Sequence, residues 1–173
     1  IGPVIDANAK SMLDAHAIRM EKEGRLLCQA PMSVTEEDGL FFAPRAYEID
    51  DLSQLKREVF GPILHVIRYG ADKLDTVIDA INNTGYGLTL GIHSRIDNRH
   101  AYVCERVKVG NAYVNRNMIG AVVGAQPFGG EGLSGTGPKA GGPRYLYRFC
   151  VERTLSINTT AAGGNAALMS LAP

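Results

Sequence analysis

The 173-residue sequence predicts an α/β fold, an open parallel sheet with flanking helices. Two observations lead there. Between Ile63 and Asn115, short β-favouring runs alternate with segments of helical period, in the order strand, helix, strand, helix, strand. The joints between them are short and marked by glycine, as right-handed crossovers between parallel strands require.

Each element has a local cause. Asp6 can cap a helix running to about Glu23, whose Met12, Leu13, His16, Ala17 and Met20 recur on one face. Gly24 is expected to stop it in a left-handed conformation. Arg25 to Ala30 reads as a short strand ended by Pro31, and Gly39 to Ile49 as a second, aromatic-rich extended stretch. After the turn at Gly61-Pro62, Ile63 to Tyr69 is an apolar strand. Asp72 opens a helix with Leu74, Val77, Ile78 and Ile81 on one stripe, broken by Gly85 and Gly87. Leu88 to His93 is the next strand. Asp97 is expected to cap the following helix, with Ala101, Cys104 and Val107 facing inward and Gly110 as its stop. Asn111 to Asn115 is a further strand. Arg153 to Asn158 returns to an extended pattern ahead of a small-residue tail.

Composition excludes several classes. Hydrophobic residues are 45% and charged residues 21%, so the chain has enough apolar content for one buried core. Lys plus Arg equals Asp plus Glu at 18 each, which gives no electrostatic pointer to nucleic acid. No run approaches the roughly 20 apolar residues of a membrane span. Cys28, Cys104 and Cys150 are odd in number and irregularly spaced, as in reduced, cytoplasmic proteins, and are expected to be small buried hydrophobes. The histidines His16, His65, His93 and His100 are scattered, and no zinc pattern or G-x-S-x-G elbow occurs. Sequon matches at Asn82 and Asn158 have no secretory context. The chain opens Ile1-Gly2-Pro3-Val4, which reads as a fragment beginning in mid-motif.

Three stretches carry chemistry. In Glu58-Val59-Phe60-Gly61-Pro62, an acid and an aromatic precede a Gly-Pro turn. The plainer reading is a turn with a core Phe; the functional one is a carboxylate for ribose hydroxyls beside an aromatic wall for a flat ring. In Asn115 to Gly130, bare main-chain N–H groups at Gly120 and Ala121 could form a nest for an anion, with Phe128 lining an apolar slot. The plainer reading is a glycine-rich connection. Ser134 to Gly142 is superficially a phosphate loop, but Lys139 is followed by Ala140 where the loop needs a hydroxyl, so a nucleotide triphosphate site is rejected. Eleven glycines lie between Gly120 and Gly164, a density that suits tight turns and close backbone approach.

Taken in order, Gly2-Pro3-Val4-Ile5, Glu58 to Pro62, Asn82 to Leu88, Gly110-Asn111, Val114-Asn115, Gln126-Pro127-Phe128-Gly129-Gly130, Ser134-Gly135 and Lys139 resemble the aldehyde dehydrogenase superfamily over nearly the whole chain. Gly120-Ala121-Val122-Val123-Gly124 is similar to the aldehyde anchor loop of its glutamate-semialdehyde dehydrogenases. Glu131 to Pro143 and the tail Asn158 to Asn165 resemble the bifunctional proline utilisation A family of bacteria, which joins a flavin-dependent proline dehydrogenase to this dehydrogenase. The resemblance implies oxidation of glutamate semialdehyde, in equilibrium with pyrroline-5-carboxylate, to glutamate with NAD as hydride acceptor. A cysteine thiolate would attack the aldehyde, hydride transfer would leave a thioester, and water would hydrolyse it.

By the same resemblance Glu58 and Phe60 would bind the cofactor at its nicotinamide end. Gly120 and Ala121 would hold the substrate α-carboxylate, and Phe128 would flank the aldehyde chain. FAD is implied only for the proline dehydrogenase domain of a longer parent. The family's catalytic cysteine loop belongs upstream of Gly2, so no catalytic residue is assigned in this chain, and alone it is expected to be inactive. Residues 1–150 are read as a partial dehydrogenase domain and 151–173 as an extended oligomerisation strand and tail. A homo-oligomer is expected, in the cytoplasm, with any peripheral membrane contact left to other domains of the parent. The alternatives are a non-catalytic oligomerisation or partner-binding module on the same scaffold, or a fragment of another semialdehyde dehydrogenase.

Overall fold

The computed structural model describes residues 1–33 and 39–158, in two compact units, Ile1–Thr84 and Gly85–Pro173. The tail from 159 onward, including most of the expected C-terminal extension, lies outside the described residues.

In the first unit, helix α1 spans Ala7–Glu23. Asp6 caps it, its Oδ1 accepting from the Ala9 N–H at 2.7 Å. Its buried residues are Leu13, His16, Ala17 and Met20, spaced i, i+3, i+4 and i+7, so the sequence period and the buried stripe coincide. Strands β1 (Arg25–Gln29), β2 (Arg45–Glu48) and β3 (Ile63–Val66) form one sheet in that order, with β1 antiparallel and β3 parallel to β2. Two apolar clusters join helix to sheet. Leu13, Ala17 and Phe42 gather Val4, Val59 and Ile63; Met20, Tyr47 and Ile49 gather Leu55, Ile63 and Ile67. Burial of each large side chain contributes about 1.5–3 kcal/mol, and Ile63 reaches both clusters. Helix α2 (Leu74–Asn83) follows a short 3₁₀ turn, with Ile78 buried.

In the second unit, strand β4 (Tyr86–Gly87) pairs antiparallel with β7 (Glu131–Gly132). Strand β5 (Thr89–Ile92) pairs parallel with β6 (Asn111–Val114). Helix α3 (Asp97–Arg106) connects β5 to β6, so this is a strand–helix–strand unit. A 3₁₀ turn over Tyr145–Phe149 ends the regular structure among the described residues. The class is α/β with open sheets. The parallel pairs are β2–β3 and β5–β6, and the antiparallel pairs are β1–β2 and β4–β7.

Several local expectations are corrected. Gly24 is extended, at φ −140° and ψ −169°, rather than left-handed. Its glycine is explained by crowding instead, since a β-carbon there would lie 2.8 Å from the Glu48 carbonyl oxygen. The α3 cap residue is Ile96, and Asp97 is the first helical residue. There its carboxylate complements the helix dipole and lies 3.4 Å from the His100 ring. Val107, at the C-cap of α3, is buried as expected, but Ala101 and Cys104 are exposed and Val103 is the buried residue within the helix. Two valines at i and i+4 remove more apolar surface from water than Ala and Cys would. All three cysteines are exposed. Cys28 is on a strand whose five residues are all exposed, and Cys150 follows the 3₁₀ turn. Residues 153–158 carry no strand pairing with described residues.

Candidate functional site

Glu58 and Phe60 sit on the segment leading into β3. Val59, between them, packs against Leu13, Ala17 and Phe42, while both neighbours are exposed. The plainer expectation of a core Phe fails, because Phe60 is 80% exposed. Phe60 therefore stands in solvent next to a valine anchored in the core. The turn below it is tied down: Ile63 N–H donates to the Gly61 carbonyl at 2.8 Å, and Arg45 N–H to the Pro62 carbonyl at 3.1 Å.

The second segment begins at the end of β6. Asn115 has φ +55°, a left-handed conformation that Asn tolerates better than most residues. Its N–H donates to the Ile92 carbonyl at 2.8 Å. Its side-chain amide then continues the pairing, donating to the Ser94 carbonyl and accepting from the Ser94 N–H, both at 2.9 Å. The chain leaves the sheet here and runs into the glycine-rich loop.

Within that loop Val122 closes a turn. Its carbonyl accepts from Ala125 N–H at 3.1 Å and Gln126 N–H at 2.9 Å, and its own N–H donates to Gln126 Oε1 at 3.1 Å. Gly124 takes φ +82°. The N–H groups of Gly120 and Ala121 have no hydrogen-bond partner among the described residues, and open space surrounds the Gly120 Cα. Adjacent main-chain donors without internal partners can take an anion.

Phe128 is half-buried. Its N–H and carbonyl exchange hydrogen bonds with Ala140, both at 3.0 Å. Asn111, at the start of β6, donates from Nδ2 to the Pro127 carbonyl at 3.1 Å and accepts at Oδ1 from Gly129 N–H at 3.2 Å. Lys139 turns inward and donates to the Gly110 carbonyl, so it is a structural cation, in keeping with the rejected phosphate loop. Gly110 itself lies against Gly129, and a β-carbon there would come within 1.8 Å of the Gly129 carbonyl oxygen.

Glu58 and Phe60 thus belong to the first unit, and Gly120, Ala121 and Phe128 to the second. The sequence pattern assigned no role to Asn111, Gln126 or the left-handed Asn115, although each stands within or beside a motif that carries chemistry. Two of the four histidines, scattered in the sequence, are brought together in the first unit, where His16 meets His65.

A strand–helix–strand unit followed by a glycine-rich loop places the chain among α/β proteins. The chain belongs to the aldehyde dehydrogenase family, whose sequence model matches residues 1–155. More particularly, it is 56% identical over 158 residues to the bifunctional protein PutA of Klebsiella aerogenes, covering 88% of this chain and 12% of that protein. It is 37% identical to a 1-pyrroline-5-carboxylate dehydrogenase of a Geobacillus species, covering 90% of this chain and 30% of that one. Among solved structures, proline utilization A of Bradyrhizobium japonicum matches with a TM-score of 0.84 at 60% identity, over 93% of this chain and 16% of that chain. The 1-pyrroline-5-carboxylate dehydrogenase from Thermus with bound NAD matches with a TM-score of 0.76 at 35% identity, over 86% and 28%. The chain therefore spans less than a third of the length of each of these relatives.

Proposed function

We propose that this chain is one side of the active site of an NAD-dependent dehydrogenase that oxidises glutamate semialdehyde, formed from pyrroline-5-carboxylate, to glutamate. The observation that carries it is the pair of unpartnered amides at Gly120 and Ala121, in a chain 56% identical to a bifunctional PutA. In this reading the two N–H groups donate to the substrate α-carboxylate, and Gln126 keeps the Val122 N–H out of competition for it. Phe128 flanks the aldehyde chain. Glu58 accepts from the nicotinamide ribose hydroxyls, and Phe60 presents its exposed ring to the nicotinamide end. An exposed carboxylate two residues from an exposed aromatic suits a ribose joined to a flat ring. NAD supplies the hydride acceptor when bound; the residues of this chain bind and orient.

The reactive cysteine is supplied by residues preceding Gly2 in a longer protein, which also carries the FAD-dependent proline dehydrogenase domain in the bifunctional form. Residues 1–150 act as the partial dehydrogenase domain. Val151, Leu155 and Ile157, all exposed, begin the extended segment that joins copies of the protein into a homo-oligomer in the cytoplasm. No described helix is long and apolar enough to cross a membrane.

The test is NAD reduction with pyrroline-5-carboxylate by this chain and by a full-length protein containing it. Activity in the full-length protein alone supports the reading. Turnover by the 173-residue chain would make one of Cys28, Cys104 or Cys150 a nucleophile and overturn it.

A further inference from the structure

Asn111 is a buried polar residue, 9% exposed, in the second unit. It spends both ends of its amide on the two residues that flank Phe128: Nδ2 on the Pro127 carbonyl and Oδ1 on the Gly129 N–H. Phe128's own main-chain groups are occupied by Ala140. The backbone around one aromatic residue is therefore held from two directions, by a partner across a bridge and by a side chain on β6. Only a side chain with a donor and an acceptor on one planar group satisfies both flanking groups. Aspartate is nearly the same shape, but its carboxylate would face the Pro127 carbonyl with no proton to give.

We propose that Asn111 is a positioning residue that sets where Phe128 stands, and so tunes affinity for the aldehyde substrate. The inference rests on the reading that Phe128 flanks the aldehyde chain. Asn111 acts through Phe128 and touches neither substrate nor cofactor. Its loss should weaken binding of the aldehyde and leave the cofactor half of the site alone.

The experiment compares Asn111→Asp, Phe128→Ala and the double variant in the full-length enzyme, with KM for pyrroline-5-carboxylate, KM for NAD and kcat measured separately. Asn111→Asp is expected to raise KM for pyrroline-5-carboxylate about tenfold, with KM for NAD and kcat within about twofold of the parent. The double variant should be no worse than Phe128→Ala alone, because the two act as one unit. Should Asn111→Asp fail to fold, Asn111→Ser loses both hydrogen bonds without adding a charge and should also raise KM for pyrroline-5-carboxylate, with KM for NAD unchanged. A raised KM in Phe128→Ala with none in the folded Asn111 variants would overturn the positioning role and leave the proposed function standing. An unchanged KM in Phe128→Ala would overturn the role of Phe128 and the inference with it, while the proposed function would still be judged by NAD reduction with pyrroline-5-carboxylate. Equal loss of affinity for NAD and aldehyde in the Asn111 variants would mean general disorder and also overturn the inference.

Discussion

The Nε2 atoms of His16 and His65 lie 2.9 Å apart, with the two rings edge-on at 82°. Arg19 approaches the other nitrogen of His16, Nδ1, at 3.4 Å. An arginine can only donate, so His16 carries its proton on Nε2 and gives it to His65, which must be neutral at Nε2. Both rings are then uncharged, and a proton added to either would set two N–H groups against each other.

The chemistry around the pair agrees. Burial, then His65, Arg19 and Arg57, hold His16 down at about 4 from an ordinary 6.5, against the opposing pull of Glu23. Burial and then Arg19 also lower His65. For a histidine lowered in the folded state, the unfolded chain binds more protons between the two values, so stability is complete above about 6.5 and falls as pH drops toward 4. Urea unfolding at roughly pH 7.5, 6.5 and 5.5 should show this loss above the range where carboxylates titrate. The variant carrying both His16→Leu and His65→Leu should lose less over that interval. Equal slopes in the two proteins would sink the account.

Two glycines in the second unit should answer oppositely to alanine. At Gly110 the new methyl would meet a carbonyl oxygen of Gly129, which is main chain and cannot swing away. Gly110→Ala should cost about 3 kcal/mol or more and show as lost soluble yield. At Gly120 nothing lies within 4 Å of the added carbon. Gly120→Ala should leave the melting temperature within about 2 °C of the parent, and any change should appear in KM for the aldehyde.

Asn115 combines a positive φ with two hydrogen bonds to Ser94. Replacing it by glycine keeps the backbone conformation and loses the bonds, which should cost about 1 kcal/mol. Alanine loses the bonds and strains the backbone as well, and should cost about 2 kcal/mol. Chemical denaturation of the two variants separates the contributions; equal costs would mean that the backbone conformation carries no strain.

Residues 58–60 offer a functional contrast over three positions. Glu58→Gln and Phe60→Ala change exposed groups and should leave folding stability within about 0.5 kcal/mol, while raising KM for NAD in the full-length enzyme. Val59→Ala removes a residue packed on Leu13, Ala17 and Phe42 and should instead cost about 1–2 kcal/mol with little kinetic effect. A stable Val59→Ala would show that the segment is not anchored through this side chain.

The α1 stripe was legible because burial and helical period select the same positions, Leu13, His16, Ala17 and Met20. The order of the longer elements was legible from their apolar patterns, but the two-residue strands β4 and β7 were not, being too short to carry a period. The face of α3 was legible only at Val107, since Ala101 and Cys104 are as compatible with an apolar stripe as Val103, and only tertiary packing chooses. Gly24 shows the same limit: its position was marked in the sequence, but crowding by the carbonyl of Glu48, on a different strand, is not local information. At the candidate site, Gly120 and Ala121 could be singled out because they are small residues in a glycine-rich loop that leaves its main chain accessible. The bonds from Asn111 to Pro127 and Gly129 could not, because they join residues 16 and 18 positions apart through a side chain with no periodic signature.

The Asn115 amide has a further consequence. By copying a peptide unit, it adds one rung to the ladder after the main chain has already turned away. The framework therefore ends at a side chain, and the chain beyond Asn115 comes back to β6 at Pro127 and Gly129, which Asn111 holds. The loop is thus slung between two asparagine side chains, one at the start of β6 and one just past its end, so a single strand sets both ends of the segment.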